Sequence, residues 1–282
     1  LASKGGFDAR HVEVKEEVLG ALRDNPPPAS LPPPEASLRE MLGQHGTGYV
    51  SGGATASLGV YGQSRCALPR GQSQPHPVVD GLDSEDRSYV EEFEERMLLS
   101  EEEWGGVVES MGPDNIPESY TDPLLDSDDG VYTSFLNDLK ECAILSFTLA
   151  PRGSVGCFFV LKKDGKTLRV IFDCGPVSAK IRKPPAMRMA TGGSIGDTTL
   201  GAEENLYISQ HDIKDFFYRL GIPAELGRFS CLRPITGAQL IQEFGITEIE
   251  GTQVTGDMMV YPHLNVLPMG FSWSMYLAQK GA

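Results

Sequence analysis

The chain has 282 residues, 40% hydrophobic and 22% charged, and a formal net charge of -15. That apolar share is enough for one or two cored domains, which excludes a wholly disordered chain. No apolar stretch approaches the roughly 18 residues that span a bilayer, and no charged stretch followed by an apolar run opens the chain, so no membrane partner is expected.

The charge is segregated. Asp83 to Asp129 holds 17 acidic and 2 basic residues, whereas Ala150 to Arg233 holds 13 Lys/Arg against 8 Asp/Glu. The total argues against a nucleic-acid binder; the second region taken alone does not. Five cysteines, an odd number with no C-x-x-C spacing, predict free thiols in a reducing compartment and hence an intracellular location, cytoplasmic or nuclear. The chain opens on Leu1 and closes on Gly281-Ala282, and a fragment of a longer product is expected.

Residues 1–118 read as an acidic, Pro/Gly-rich, largely disordered region. The runs Pro26-Pro27-Pro28 and Pro32-Pro33-Pro34 are stiff polyproline segments, and Gly43 to Gly62 has too few large apolar residues to offset its ordering entropy. Local helices are expected at His11 to Arg23 and at Glu85 to Glu103, where Val90, Phe93, Met97 and Leu98 share a face. Two readings of the acidic run are open. It is either a solvated tail or an intramolecular mimic of nucleic acid that shields a basic groove.

Residues 119–282 read as the folded part, with order beginning near Leu124. A helix is expected over Ser134 to Glu141 and a strand over Ala143 to Leu149. The clearest local signal follows. Val155 to Leu161 and Thr167 to Asp173 are β-rich runs around Lys163-Asp164-Gly165-Lys166, a hairpin with a basic tip. Thr191-Gly192-Gly193-Ser194-Ile195-Gly196 lacks the G-x-x-x-x-G-K-S/T order of a phosphate loop and reads as a connector. Leu206 to Ile213 is an expected strand, Asp215 to Leu220 a helical turn, Phe229 to Leu232, Ile246 to Thr252 and Gln253 to Tyr261 further strands, and Ser272 to Lys280 an amphipathic helix.

Asp212 closes an apolar strand and is followed by Phe216-Phe217-Tyr218. A carboxylate at a strand end beside aromatic rings suits a two-metal phosphoryl-transfer site, because hard Mg²⁺ takes carboxylate oxygens and a ring can shape a sugar pocket. Alone, such an Asp more often forms a turn or a cap. His211 beside it points to the opposite strand face, which speaks against a mixed metal site.

Three blocks, read together, resemble the reverse transcriptase family of retrotransposon type in order and spacing. They are Phe158 to Asp173 (the fingers hairpin), Ile208 to Tyr218 (the first catalytic-aspartate motif) and Val266 to Ser274 (the L-P-x-G motif). The resemblance covers about half the chain. It implies an α+β fold, the partial fingers and palm of a right-hand polymerase, and a parent activity of template-directed dNTP addition to a primer on an RNA or DNA template. By position it makes Asp212 the first metal-binding carboxylate, with the carbonyl of Ile213 a further ligand to one of two Mg²⁺ ions. Lys162 and Arg169 would contact the triphosphate, Phe217 would exclude a ribose 2′-hydroxyl, and Met269 and Gly270 would line the nucleotide pocket.

There are departures. Gly175 and Ser178 stand where the family usually has Arg and Asn. The Phe/Tyr-x-Asp-Asp hairpin that should follow the L-P-x-G helix is not present before Ala282. Two Mg²⁺ ions about 3.5–4 Å apart need several carboxylates, so the chain is expected to be inactive without the missing C-terminal polymerase segments. The alternative is a non-catalytic retroelement remnant that binds nucleic acid or a protein. An incomplete palm is also expected to leave sheet edges open to aggregation.

Overall fold

A computed structural model of the chain describes residues 58–71, 74–112, 115–187 and 212–281, with the isolated positions Thr199 and Tyr207. The expected helix His11 to Arg23, both proline runs, the Thr191 to Gly196 loop and most of the strand Leu206 to Ile213 lie outside these residues. What is described forms one compact unit of α+β type.

Its first half is held by helices with local start signals. In α1 (Ser84–Glu91) the Asp83 side chain accepts from the Asp86 amide, and acidic residues fill the first turn, where the helix dipole favours them. A single turn, α2 (Phe93–Arg96), follows. In α3 (Glu101–Met111) Ser100 and Glu103 form a reciprocal capping box. After the short α4 (Pro123–Ser127) comes α5 (Asp129–Glu141), whose Tyr132, Phe135, Leu136 and Leu139 recur at i, i+3, i+4, i+7 and are all buried.

The described residues between 58 and 118, expected to be largely without structure, therefore belong to the fold. The expected face of Val90, Phe93 and Met97 is real, and these residues are 1%, 6% and 0% exposed. Their cover comes from elsewhere: Leu98 bridges Ile181, Tyr89 packs at 5.0 Å on Trp273, and Phe93 lies edge-on to Phe229. Burial against distant partners, rather than local composition, orders this acidic stretch.

The strand β1 (His76–Pro77) precedes α1, and β2 (Leu145–Thr148) follows α5 after a turn at Ala143 with φ 58°. The hairpin is β3 (Gly156–Leu161) with β4 (Leu168–Asp173), paired from Gly156↔Asp173 to Leu161↔Leu168. Its turn forms as the sequence dictates. Asp164 accepts from the amides of Lys166 and Thr167, and Gly165 takes φ 64°. The Thr167 hydroxyl, which also donates to this carboxylate, together with the two amides holds the Asp164 carboxyl down at about 2.

A strap, residues 58–70, crosses the core face of this hairpin. Gly59 donates to the Phe159 carbonyl at the free edge of β3, and Ala67 donates to the Leu168 carbonyl at the free edge of β4. Asp122 donates to Cys157, further along the β3 edge. Tyr61 stacks between Phe135 and Phe159. The strap is fixed through one buried carboxylate on α5: Asp138 accepts from Gln63 at 3.0 Å and Tyr61 at 3.4 Å, and pairs with Arg70 at 3.0 Å. Burial and the Asp138 charge push the Tyr61 phenol up, which keeps it a donor.

Beyond β4 lie α6 (Gly175–Ala179), a 3₁₀ turn at Phe216–Arg219, β5 (Leu220–Gly221), α7 (Ala224–Gly227), β6 (Ile235–Thr236), α8 (Gly237–Phe244), β7 (Glu248–Ile249), β8 (Thr252–Gln253), β9 (Met259–Leu264) and α9 (Ser274–Lys280). The central sheet runs β2-β9-β6, antiparallel throughout. Its line continues after β9, where Ile222 and Leu267 exchange bonds with Asn265 and Leu220, and β5 pairs in parallel with β1. The expected strand Ile246 to Thr252 is split, because Glu250 and Gly251 both take positive φ and form a two-residue hairpin turn. At Phe229 to Leu232 there is no strand; Cys231 makes single bridges to Ser154 and His263. All five cysteines are free and buried.

His263 gives the sheet a pH dependence. It is 3% exposed, and its Nδ1 donates to the Leu264 carbonyl at 3.2 Å. Burial holds its pKa below the usual 6.5 and Arg228 acts the same way, while the Leu264 bond and Glu250 oppose. The unfolded chain therefore binds the proton first, and stability is lost as the pH falls through 6.5 toward the folded value. The urea midpoint is expected to start dropping as the pH falls below 6.5, and that first part of the drop should vanish in His263→Gln. A midpoint that stays flat, or an identical drop in the variant, would contradict this.

Candidate functional site

Pairing register decides how the two expected triphosphate contacts are presented. Opposite residues of an antiparallel pair share a face, and faces alternate along each strand. Phe159↔Val170 and Leu161↔Leu168 turn inward, with Phe159 and Leu168 fully buried. Phe158↔Ile171, Val160↔Arg169 and Lys162, whose amide donates to Thr167, then share the other face. Lys162 and Arg169 are thus diagonal neighbours on one face near the tip, Arg169 exposed and Lys162 half-buried.

The strap adds a cation that sequence reading missed. Arg65 closes the 3₁₀ turn Gln63–Arg65 and its Nε donates to the Lys166 carbonyl at 2.9 Å, at the tip of the hairpin. No local signal marks it, since its partner lies 101 residues away. With Lys162, Lys163, Lys166 and Arg169, it makes the tip a basic end.

Phe217 sits in the 3₁₀ turn Phe216–Arg219, half-buried against the core, its ring 6.0 Å from that of Phe216. The turn is set by Asp215 in the left-handed region at φ 56°, and Arg219 fixes it by donating to the Lys214 carbonyl at 3.0 Å. The next residue, Tyr218, is buried, and burial pushes its phenol up, with Cys157 and Asp215 adding and Arg169 opposing.

Met269 and Gly270 lie in the loop before α9. Met269 is 38% exposed. Gly270 has the carbonyl of Phe172 so close that an added Cβ would stand 2.2 Å from its oxygen; here the close approach that glycine permits is to the end of β4. Ser178 holds the same loop by accepting from the Ser272 amide at 3.2 Å. The Ser178 side chain is therefore spent on fixing the loop.

Asp212 and Ile213 are exposed at the head of the segment 212–281. Among the described residues no three His, Cys, Asp or Glu side chains converge on a point that could hold a metal ion. The described residues thus do not by themselves make a two-Mg²⁺ site, which needs several carboxylates around Asp212. The structure joins the Met269–Gly270 loop to the end of β4 and packs Phe217 against the common core. Among the described residues no helix is long and apolar enough to cross a membrane.

No protein-family model matches the chain, and no curated protein matches it.

Proposed function

We propose that the described fold is the fingers and first palm part of a reverse-transcriptase-like polymerase of retrotransposon type, and that what its own residues supply is binding of a polyanion. The observation that supports this best is the shared face of Lys162 and Arg169 near a basic hairpin tip. Fixed guanidinium and ammonium groups on one face suit a triphosphate or a phosphate backbone, whose charge they neutralise. In this reading Phe217 bounds the sugar and Met269 with Gly270 the base side of a nucleotide. Asp212 and the Ile213 carbonyl would be two of the ligands to Mg²⁺, and the chemical step waits on carboxylates that the described residues do not provide.

A second reading, a remnant that binds nucleic acid without catalysis, is favoured by Ser178, whose side chain is committed to the loop. The coding sequence beyond the Ala282 codon separates the two. An in-frame Phe/Tyr-x-Asp-Asp supports a polymerase, and a stop codon directly after Ala282 supports the remnant.

Binding tests what both share. A labelled RNA–DNA template–primer titrated across salt should show log affinity falling linearly with log salt. Lys162→Ala and Arg169→Ala should each flatten that slope by about 1, as loss of one phosphate contact does. No binding at the lowest salt removes both readings. Binding that ignores both substitutions removes the assignment of the hairpin.

A further inference from the structure

We propose that Arg152, Lys180 and Arg182 form a second surface for the phosphate backbone of single-stranded nucleic acid, masked in this state by the carboxylates of Glu94 and Glu103. The proposal rests on the nucleic-acid reading above but not on Lys162 or Arg169.

The two guanidinia converge on one dipeptide of α2. Arg152 pairs with the Glu94 carboxylate, and Arg182 donates from Nη1 to the Glu95 carbonyl at 2.7 Å. The other arm of Arg182 reaches the Glu103 carboxylate at 2.5 Å, and Lys180 lies 5.5 Å from the centre of the Trp104 ring. The backbones are tied in register, since Leu99 donates to the Lys180 carbonyl and Arg182 donates to that of Met97. Cations beside an aromatic ring are the elements that follow a single strand, charge for its phosphates and a π-face for its bases. Here the carboxylates stand where phosphates would.

The mask is exchangeable without unfolding. Arg152 and Glu94 are 36% and 59% exposed, and Arg182 and Glu103 are 33% and 45% exposed, so both pairs are solvated and weak. Val90, Phe93 and Met97 hold the backbone beneath them in place. A phosphate can therefore displace each carboxylate from its guanidinium while the helices stay docked. The Lys280–Asp86 pair is different: Asp86 is 4% exposed and also accepts from Tyr276, so it belongs to the core.

The test uses the full chain and a short fluorescein-labelled single-stranded RNA. Glu94→Gln with Glu103→Gln keeps the helix start, because Gln serves equally in a capping box. This variant should bind about tenfold more tightly at low salt, with a salt slope steeper by about 1.4, as for two added contacts to a single strand. Glu243→Gln with Glu248→Gln changes net charge equally at residues outside this surface and should leave the slope unchanged. Adding Arg152→Gln and Arg182→Gln to the unmasked variant should return both readings to those of the parent, whereas adding Lys162→Ala and Arg169→Ala should leave the gain intact. The proposal is overturned if the unmasked variant matches that charge control, if its gain survives loss of both arginines, or if it binds no RNA at all. Loss of the gain only with Lys162 and Arg169 would overturn it while leaving the hairpin assignment standing.

Discussion

Truncation of Met97 to alanine is expected to destabilise the whole described fold by about 2–5 kcal/mol, the usual cost of removing a fully buried side chain of this size. Met97 is 0% exposed, although it sits in the most acidic stretch of the chain. A solvated tail could not produce this effect, because nothing would be buried to lose. Urea unfolding followed by tryptophan fluorescence reads it directly, since Trp104 and Trp273 both lie beside the docked segment. A change below about 0.5 kcal/mol, the range of ordinary surface substitutions, would mean that the segment is not docked in solution.

The second large effect belongs to Asp138. Its replacement by alanine removes the acceptor shared by Tyr61 and Gln63 and the partner of Arg70. We expect a loss of about 2–3 kcal/mol, mostly from polar groups left unsatisfied under the strap. Arg70→Gln should cost less than about 1 kcal/mol, because the Arg70 side chain is 45% exposed and its ion pair is solvated. The two differ in kind as well. Asp138→Ala should also release the strap locally, so that trypsin cuts after Arg65 and Arg70 well before the rest of the chain. Equal cutting of variant and parent would show that the strap is held by other means.

What was legible in the sequence was local. The β3–β4 hairpin announces itself through two β-rich runs and an Asp-Gly turn, and α5 through its apolar spacing. The face of Val90, Phe93 and Met97 was equally visible, but not what covers it, because Ile181, Phe229 and Trp273 are far away in the chain. For the same reason Arg65 and the Asp138 contacts had no sequence signal: each depends on partners about a hundred or about seventy residues away. The candidate site divides in the same manner. Lys162, Arg169 and Phe217 could be located from motif spacing, whereas the shared face of the first two needed the register. The close neighbour of Gly270 needed the packing of β4.

The strap has a consequence for how the protein is made. During synthesis residues 58–70 leave the ribosome about a hundred residues ahead of the hairpin they cross, and contacts over such separations close late. Until they close, both outer edges of β3 and β4 are open ladders that a second nascent chain could extend. The intervening stretch is the one with 17 acidic residues against 2 basic. Its mutual repulsion between neighbouring chains would keep them apart during that wait. The acidity that hid the fold from sequence inspection would then act as a timing safeguard, guarding the unfinished hairpin until the strap docks on it.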